Sequence, residues 1–189
     1  MTDKNQLIEI RWHGRGGQGA VTSAELVAQA AISEGKYAQA FPSFGPERRG
    51  APVLAFVRIS RQEPIRIRAE IAQPDIVVVL DPGLLSIVNV IAGLKQDGML
   101  VINTRKSFKE VEAQFKSKCK LAKVDATTIA REILGIPITN TTMVGALVRA
   151  SGVVELESLV EPLNRRFNRL AERNINAMRK AYEETSVKE

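Results

Sequence analysis

A chain of 189 residues with 44% hydrophobic and 25% charged residues reads as one soluble globular domain, spanning 1–189 and long enough to bury a core. Its formal charge of +6 comes from 27 basic and 21 acidic residues scattered along the chain, with aromatics at only 5%; that dispersal argues against a nucleic-acid surface. Apolar runs such as Ile76–Leu80 are far too short to cross a bilayer, and Met1–Gln6 lacks the basic-then-apolar pattern of a secretory leader, so a cytoplasmic location is expected.

Leu7–Trp12 alternates in the manner of a strand and runs into His13-Gly14-Arg15-Gly16-Gly17-Gln18-Gly19-Ala20. Small and apolar residues from Ala20 to Ile32 then predict a helix. Gly14, Gly16 and Gly19 satisfy G-x-G-x-x-G in a strand-turn-helix context, where backbone approaches an anion closely and a helix start turns free N–H groups toward it. Arg15 adds a positive charge. The second strand, Tyr37–Phe41, carries no acidic residue about 20 positions on to hold a ribose, and no P-loop pattern is present. The turn therefore suits a phosphate, a pyrophosphate or a carboxylate, or simply tight strand–helix packing, and does not match an ordinary NAD site.

The loop Phe41–Pro52 holds two aromatics, three prolines, two glycines and the pair Arg48-Arg49. Such a loop has a restricted shape and fits a protein interface or an anion clamp. Val53–Ile59 is a strand, and Ile65-Arg66-Ile67-Arg68 alternates with period two, predicting an antiparallel edge beside it. Ile76–Leu80 is a continuous β-branched run, as in a strand covered on both faces. Pro82–Ile91 predicts a helix ended by Gly93; then come a strand at Met99–Asn103, a helix at Ser107–Lys116 and a strand at Leu121–Asp125. Helices are expected at Ala126–Leu134 and Asn140–Ala150, and from Glu155 to Glu184 with a break at Pro162, so that about 140–185 is a helical C-terminal segment. Alternating strands and helices predict an α/β fold: a doubly wound, mostly parallel sheet with helices on both faces and the glycine-rich turn at its carboxyl edge.

Cys119 is the only cysteine and His13 the only histidine, so a disulfide within the chain is excluded and neither an iron–sulfur cluster nor zinc has its ligand set here. Lys116, Lys118 and Lys120 would lower the Cys119 thiol pKa, but a surface or strand-start cysteine fits better. His13, at a strand end, reads as a packing or hydrogen-bonding histidine, and no residue reads as a general acid–base catalyst.

Taken together, Gly14–Gly19 and Pro42-Ser43-Phe44-Gly45-Pro46-Glu47-Arg48-Arg49-Gly50-Ala51 resemble the gamma subunit of 2-oxoacid:ferredoxin oxidoreductases. Pro74–Asp81 and Pro137–Thr141 fit the same pattern, and the likeness runs from about Ile8 to Tyr182, being greatest to the pyruvate and 2-ketoisovalerate enzymes. Ala51 departs from it, since many members carry a second glycine there. The resemblance implies a Rossmann-like fold and a part in CoA-dependent oxidative decarboxylation of a 2-oxoacid, with electrons passed to ferredoxin. It implies alpha and beta thiamine-binding subunits and a ferredoxin-like delta subunit as partners. Thiamine diphosphate, Mg2+ and [4Fe–4S] clusters would sit on those other chains. Here Gly14, Arg15, Gly16, Gly17, Gln18, Gly19, Glu47, Arg48 and Arg49 are the candidates for holding CoA phosphate or for contacting partner subunits. The competing readings are a free-standing nucleotide-binding α/β protein and a purely structural scaffold subunit.

Overall fold

The computed structural model describes residues 7–43, 50–115 and 119–188. Seven strands form one sheet in the order β2-β3-β1-β4-β5-β6-β7: β1 (Ile8–Arg15), β2 (Tyr37–Pro42), β3 (Pro52–Ser60), β4 (Ile76–Val79), β5 (Met99–Asn103), β6 (Lys120–Val124) and β7 (Ser186–Lys188). β1, β4, β5 and β6 are parallel neighbours, β2 points the same way, and β3 and β7 run against their neighbours. The chain passes from β1 through helix α1 (Ala20–Ser33) to the outer strand β2, turns back as β3, and crosses to β4 on the other side of β1. The strand order therefore reverses between β1 and β4, the place where open α/β sheets form a crevice at their carboxyl ends.

The apolar pattern of β4 explains its burial on both sides. Val78 and Leu80 join a large core with α1, α3 (Ala126–Leu134), α4 (Asn140–Ser151), α5 (Val160–Phe167) and α6 (Ala171–Glu184). Val77 and Val79 face the opposite side, packed with Leu100 and Ile102 against Leu84, Val90 and Val111. The helical cover is thus unequal: five helices on one face, and on the other a 3-10 turn at Pro82–Ser86 and the short α2 (Phe108–Glu112). Under β1 and β3 that second face is polar. Arg58 is 2% exposed, its Nε bonds Glu9 Oε1 at 2.8 Å, and its guanidinium lies 5.3 Å from the Phe41 ring centroid.

Several expected elements differ. β1 runs on through Arg15, because Gly14 and Arg15 pair with Val53 and Pro52 of β3. Ile65–Arg68 forms no strand. Pro82–Ile91 shrinks to the 3-10 turn, consistent with its glycine and its run of β-branched residues. Ser107–Lys116 shrinks to α2, set by a reciprocal capping box between Ser107 and Glu110. The C-terminal helix breaks at Asn168, with φ 47, and not at Pro162; the proline sits in the first turn of α5, where a missing N–H costs nothing. β7, which the sequence did not signal, adds antiparallel to β6.

Candidate functional site

The glycine-rich turn lies at the carboxyl ends of β1 and β4. Gln18 N donates to Arg15 O at 2.9 Å, closing a four-residue turn whose third residue, Gly17, has φ 93. That angle makes it a type II turn, which favours glycine at this position. Gly19, at φ 82, opens α1, and a Cβ there would lie 2.7 Å from Asn140 Nδ2. Conformation and space both restrict that position. Gly14 stays in the strand, where a Cβ would meet Leu80 Cδ1 at 3.2 Å and Ala20 Cβ at 3.3 Å; here the glycine serves close strand–helix approach.

The two sequence motifs meet. Gly16 N donates to Ala51 O at 3.0 Å and Gly50 N to Gly16 O at 3.3 Å, so the end of the proline-rich loop is tied to the turn. Arg15 Nη1 also donates to Gly50 O at 3.1 Å. Phe44, Gly45, Pro46, Glu47, Arg48 and Arg49 lie outside the described residues.

Asp81, just after β4, organises the turn and was not among the candidates read from sequence. Its Oδ2 accepts from Arg15 Nε at 2.7 Å and from Gln18 Nε2 at 3.0 Å, while Oδ1 accepts from Gly83 N at 2.8 Å. Gln18 Oε1 in turn accepts from Arg15 N at 2.7 Å. Partial burial pushes the Asp81 carboxyl up, but the Gly83 N–H, Gln18 and Arg15 outweigh it and hold the group below its ordinary value. The signal in the sequence was a lone acid closing an apolar strand, at the edge where ligands of such sheets bind. The positive charge that Arg15 brings to the turn is paired with Asp81.

Beside this node, Leu80 O accepts from Asn103 Nδ2 at 2.8 Å and from Thr139 Oγ1 at 3.4 Å, and Asn103 Nδ2 also reaches Thr127 Oγ1 at 2.9 Å. These bonds lock the ends of β4 and β5 to the starts of α3 and α4. Neither Gly19 before α1 nor Thr139 before α4 caps its helix start with a side chain. Both helix starts meet at Gly19 and Asn140, and the first turn of α1 carries no acid. Uncapped N–H groups with the positive end of a helix dipole favour an anion.

His13 is buried, 6% exposed, and hydrogen-bonded to its neighbour on the same strand. Burial, and then the neighbouring Arg11 charge, lower its pKa to about 3, so the ring is neutral near pH 7 and its Nε2 accepts from Arg11 Nε at 3.1 Å. Burial, and then Glu112, push the Cys119 thiol up, opposite to the effect its lysine neighbours suggested. Among the described residues no group of three His, Cys, Asp or Glu could hold a metal ion, and no helix is long and apolar enough to cross a membrane.

Comparison with known proteins gives a consistent picture. A family model for pyruvate ferredoxin/flavodoxin oxidoreductase matches residues 9–184. The pyruvate/ketoisovalerate oxidoreductases common subunit gamma of Pyrococcus furiosus is 58% identical over 183 residues, covering 96% of this chain and 98% of that one. Pyruvate synthase subunit PorC of Methanothermobacter marburgensis is 51% identical over 178 residues, covering 94% and 97%. The crystal structure of pyruvate oxidoreductase subunit PORC from Thermotoga maritima matches with a TM-score of 0.87 and 41% identity, covering 97% of this chain and 99% of that one.

Proposed function

This chain belongs to the pyruvate ferredoxin/flavodoxin oxidoreductase family, and from that membership we propose that it is the gamma subunit of a multi-subunit pyruvate or 2-ketoisovalerate ferredoxin oxidoreductase. In that complex it supports CoA-dependent oxidative decarboxylation of a 2-oxoacid to acyl-CoA and CO2, with electrons passed to ferredoxin. Its partners are alpha and beta subunits, which bind thiamine, and a ferredoxin-like delta subunit. With a single cysteine in its sequence, this chain lacks the four thiolates a [4Fe–4S] cluster typically takes, and thiamine diphosphate with Mg2+ is likewise assigned to other chains. Those groups belong to the partners, and they supply the redox chemistry.

The role of this chain is to bind and orient. The observation that supports it is the uncapped start of α1 at Gly19, placed where β1 and β4 part and tied through Gly16 to Gly50 and Ala51. We assign a CoA phosphate to the Gly14–Gly19 turn where it opens α1, since the Arg15, Gly16 and Gln18 N–H groups are already spent on Gln18 Oε1, Ala51 O and Arg15 O. Because Arg15 is paired with Asp81, Arg48 and Arg49 are the cations assigned to neutralise that phosphate, and Glu47 is assigned a hydrogen-bonding role. The same segments also suit a subunit contact, since Arg15 and Gln18 spend their bonds on internal structure.

The test is Arg48→Ala with Arg49→Ala in the assembled complex, reading the KM for CoA and the subunit composition. A KM raised at least about tenfold in an intact complex, the loss of about 1.4 kcal/mol or more of binding, supports the CoA assignment. Loss of subunits from the complex assigns the loop to the interface instead.

A further inference from the structure

The segment from Pro64 to Arg68 has the sequence of a strand and lacks a partner strand. It contains neither turn nor bend, and no backbone–backbone hydrogen bond involves it among the described residues. It is nonetheless held in place. Glu63 N donates to Ser60 Oγ before it, and Ile71, 2% exposed, anchors the chain after it. Between them Gln39 Nε2 donates to Ile65 O at 3.4 Å and Arg58 Nη1 to Ile67 O at 3.3 Å. Gln39 and Arg58 are cross-strand partners in β2 and β3, so the strap lies over the sheet with alternate carbonyls turned toward it.

In an extended chain, successive residues turn their N–H and C=O groups to opposite sides. With Ile65 and Ile67 directed at the sheet, the backbone groups of Arg66 and Arg68 face outward. Both arginines are exposed, Ile67 is 51% exposed, and a cleft of about 510 Å³ opens alongside, bounded by Leu7 and Ser60. Pro64, which has no N–H to give, stands at the start, where a strand tolerates it. A β pattern left unpaired in a fixed, solvent-facing strap conflicts with the consistency expected of a folded chain, and an added strand resolves the conflict.

We propose that Pro64–Arg68 is a docking edge that receives a β-strand from another subunit of the complex, and that this strand carries Asp or Glu at alternating positions facing Arg66 and Arg68. The acidic character follows from charge: neither arginine has an ion-pair partner among the described residues. The inference rests on the reading of this chain as a subunit of a multi-chain enzyme.

Hydrogen exchange read by mass spectrometry, on the full chain alone and in the purified complex, tests it. The amides of Arg66 and Arg68 exchange fast in the free chain and slow at least about tenfold in the complex, as expected of newly paired backbone. Arg66→Glu with Arg68→Glu lowers co-assembly at low salt, while Gln39 and Arg58 keep the strap seated. Fast exchange at Arg66 and Arg68 in an intact complex overturns the docking edge and leaves the subunit reading standing. If no complex can be isolated, both fall.

Discussion

Replacing Asp81 with alanine removes the acceptor of three hydrogen bonds at once, two of which join the glycine-rich turn to the end of β4. Bonds to a charged acceptor are worth roughly 1.5–3 kcal/mol each when their loss leaves donors dry. Here the Arg15 and Asp81 side chains are 30% and 20% exposed, so water recovers much of that. The expected total is about 2 kcal/mol, or a fall in Tm of roughly 4–8 °C for a chain of this size. A double-mutant cycle with Arg15→Ala, read by thermal unfolding of the full chain at pH 7, isolates the pair. The two changes should be non-additive by about 1 kcal/mol, because each already removes the shared bond. Acidity gives a second reading. The folded carboxyl lies below its ordinary value of 3.8, so its contribution is present above that pH and disappears as pH falls through the lower folded value. The wild-type advantage should shrink only below about pH 4. Strict additivity, or an advantage that persists unchanged at pH 2, would refute the argument that Asp81 holds the turn as a carboxylate.

Other expectations are direct. Gly17→Ala should cost only the strain of a left-handed turn, about 1–2 kcal/mol, since nothing lies within 4 Å of its Cβ. Gly19→Ala adds a collision with Asn140 and should lower Tm clearly further; equal effects at the two sites would show that Asn140 yields freely. Gly145→Ala would place a Cβ 2.1 Å from the Met178 carbonyl oxygen, forcing α4 and α6 apart, at a cost of about 3 kcal/mol in denaturant unfolding. His13 is held at a pKa of about 3 against an ordinary 6.5, so below pH 6.5 the unfolded chain takes up a proton that the folded one refuses. Stability should fall by up to about 1.4 kcal/mol per pH unit from there, and His13→Gln should flatten that slope in urea titrations at pH 7.5 and 5.

Some of this protein was legible in its sequence because the cause was local. The apolar run at Ile76 needs cover on both faces wherever it is placed, and it received it from two separate cores. α3 forms at Ala126–Leu134, where its helical pattern lies, with the Asp125 carboxylate accepting from Thr128 N at 3.1 Å just before it and Gly135, at φ 77, just after it; both signals flank the segment they delimit. The glycine-rich turn was readable for the same reason, as was its likeness to a known family. What only the tertiary structure decided depended on distant partners. The antiparallel insertion of β3 between β2 and β1 follows from strand pairing that no local pattern encodes. Asp81 gained its role from Arg15 and Gln18, more than sixty residues earlier in the chain, and Arg15 lost its availability by the same contact. Ile65–Arg68 carries a strand pattern without a strand, because periodicity records which side chains alternate and not whether a neighbouring backbone is there to bond. A sequence specifies the groups a segment offers; packing decides which of them are met.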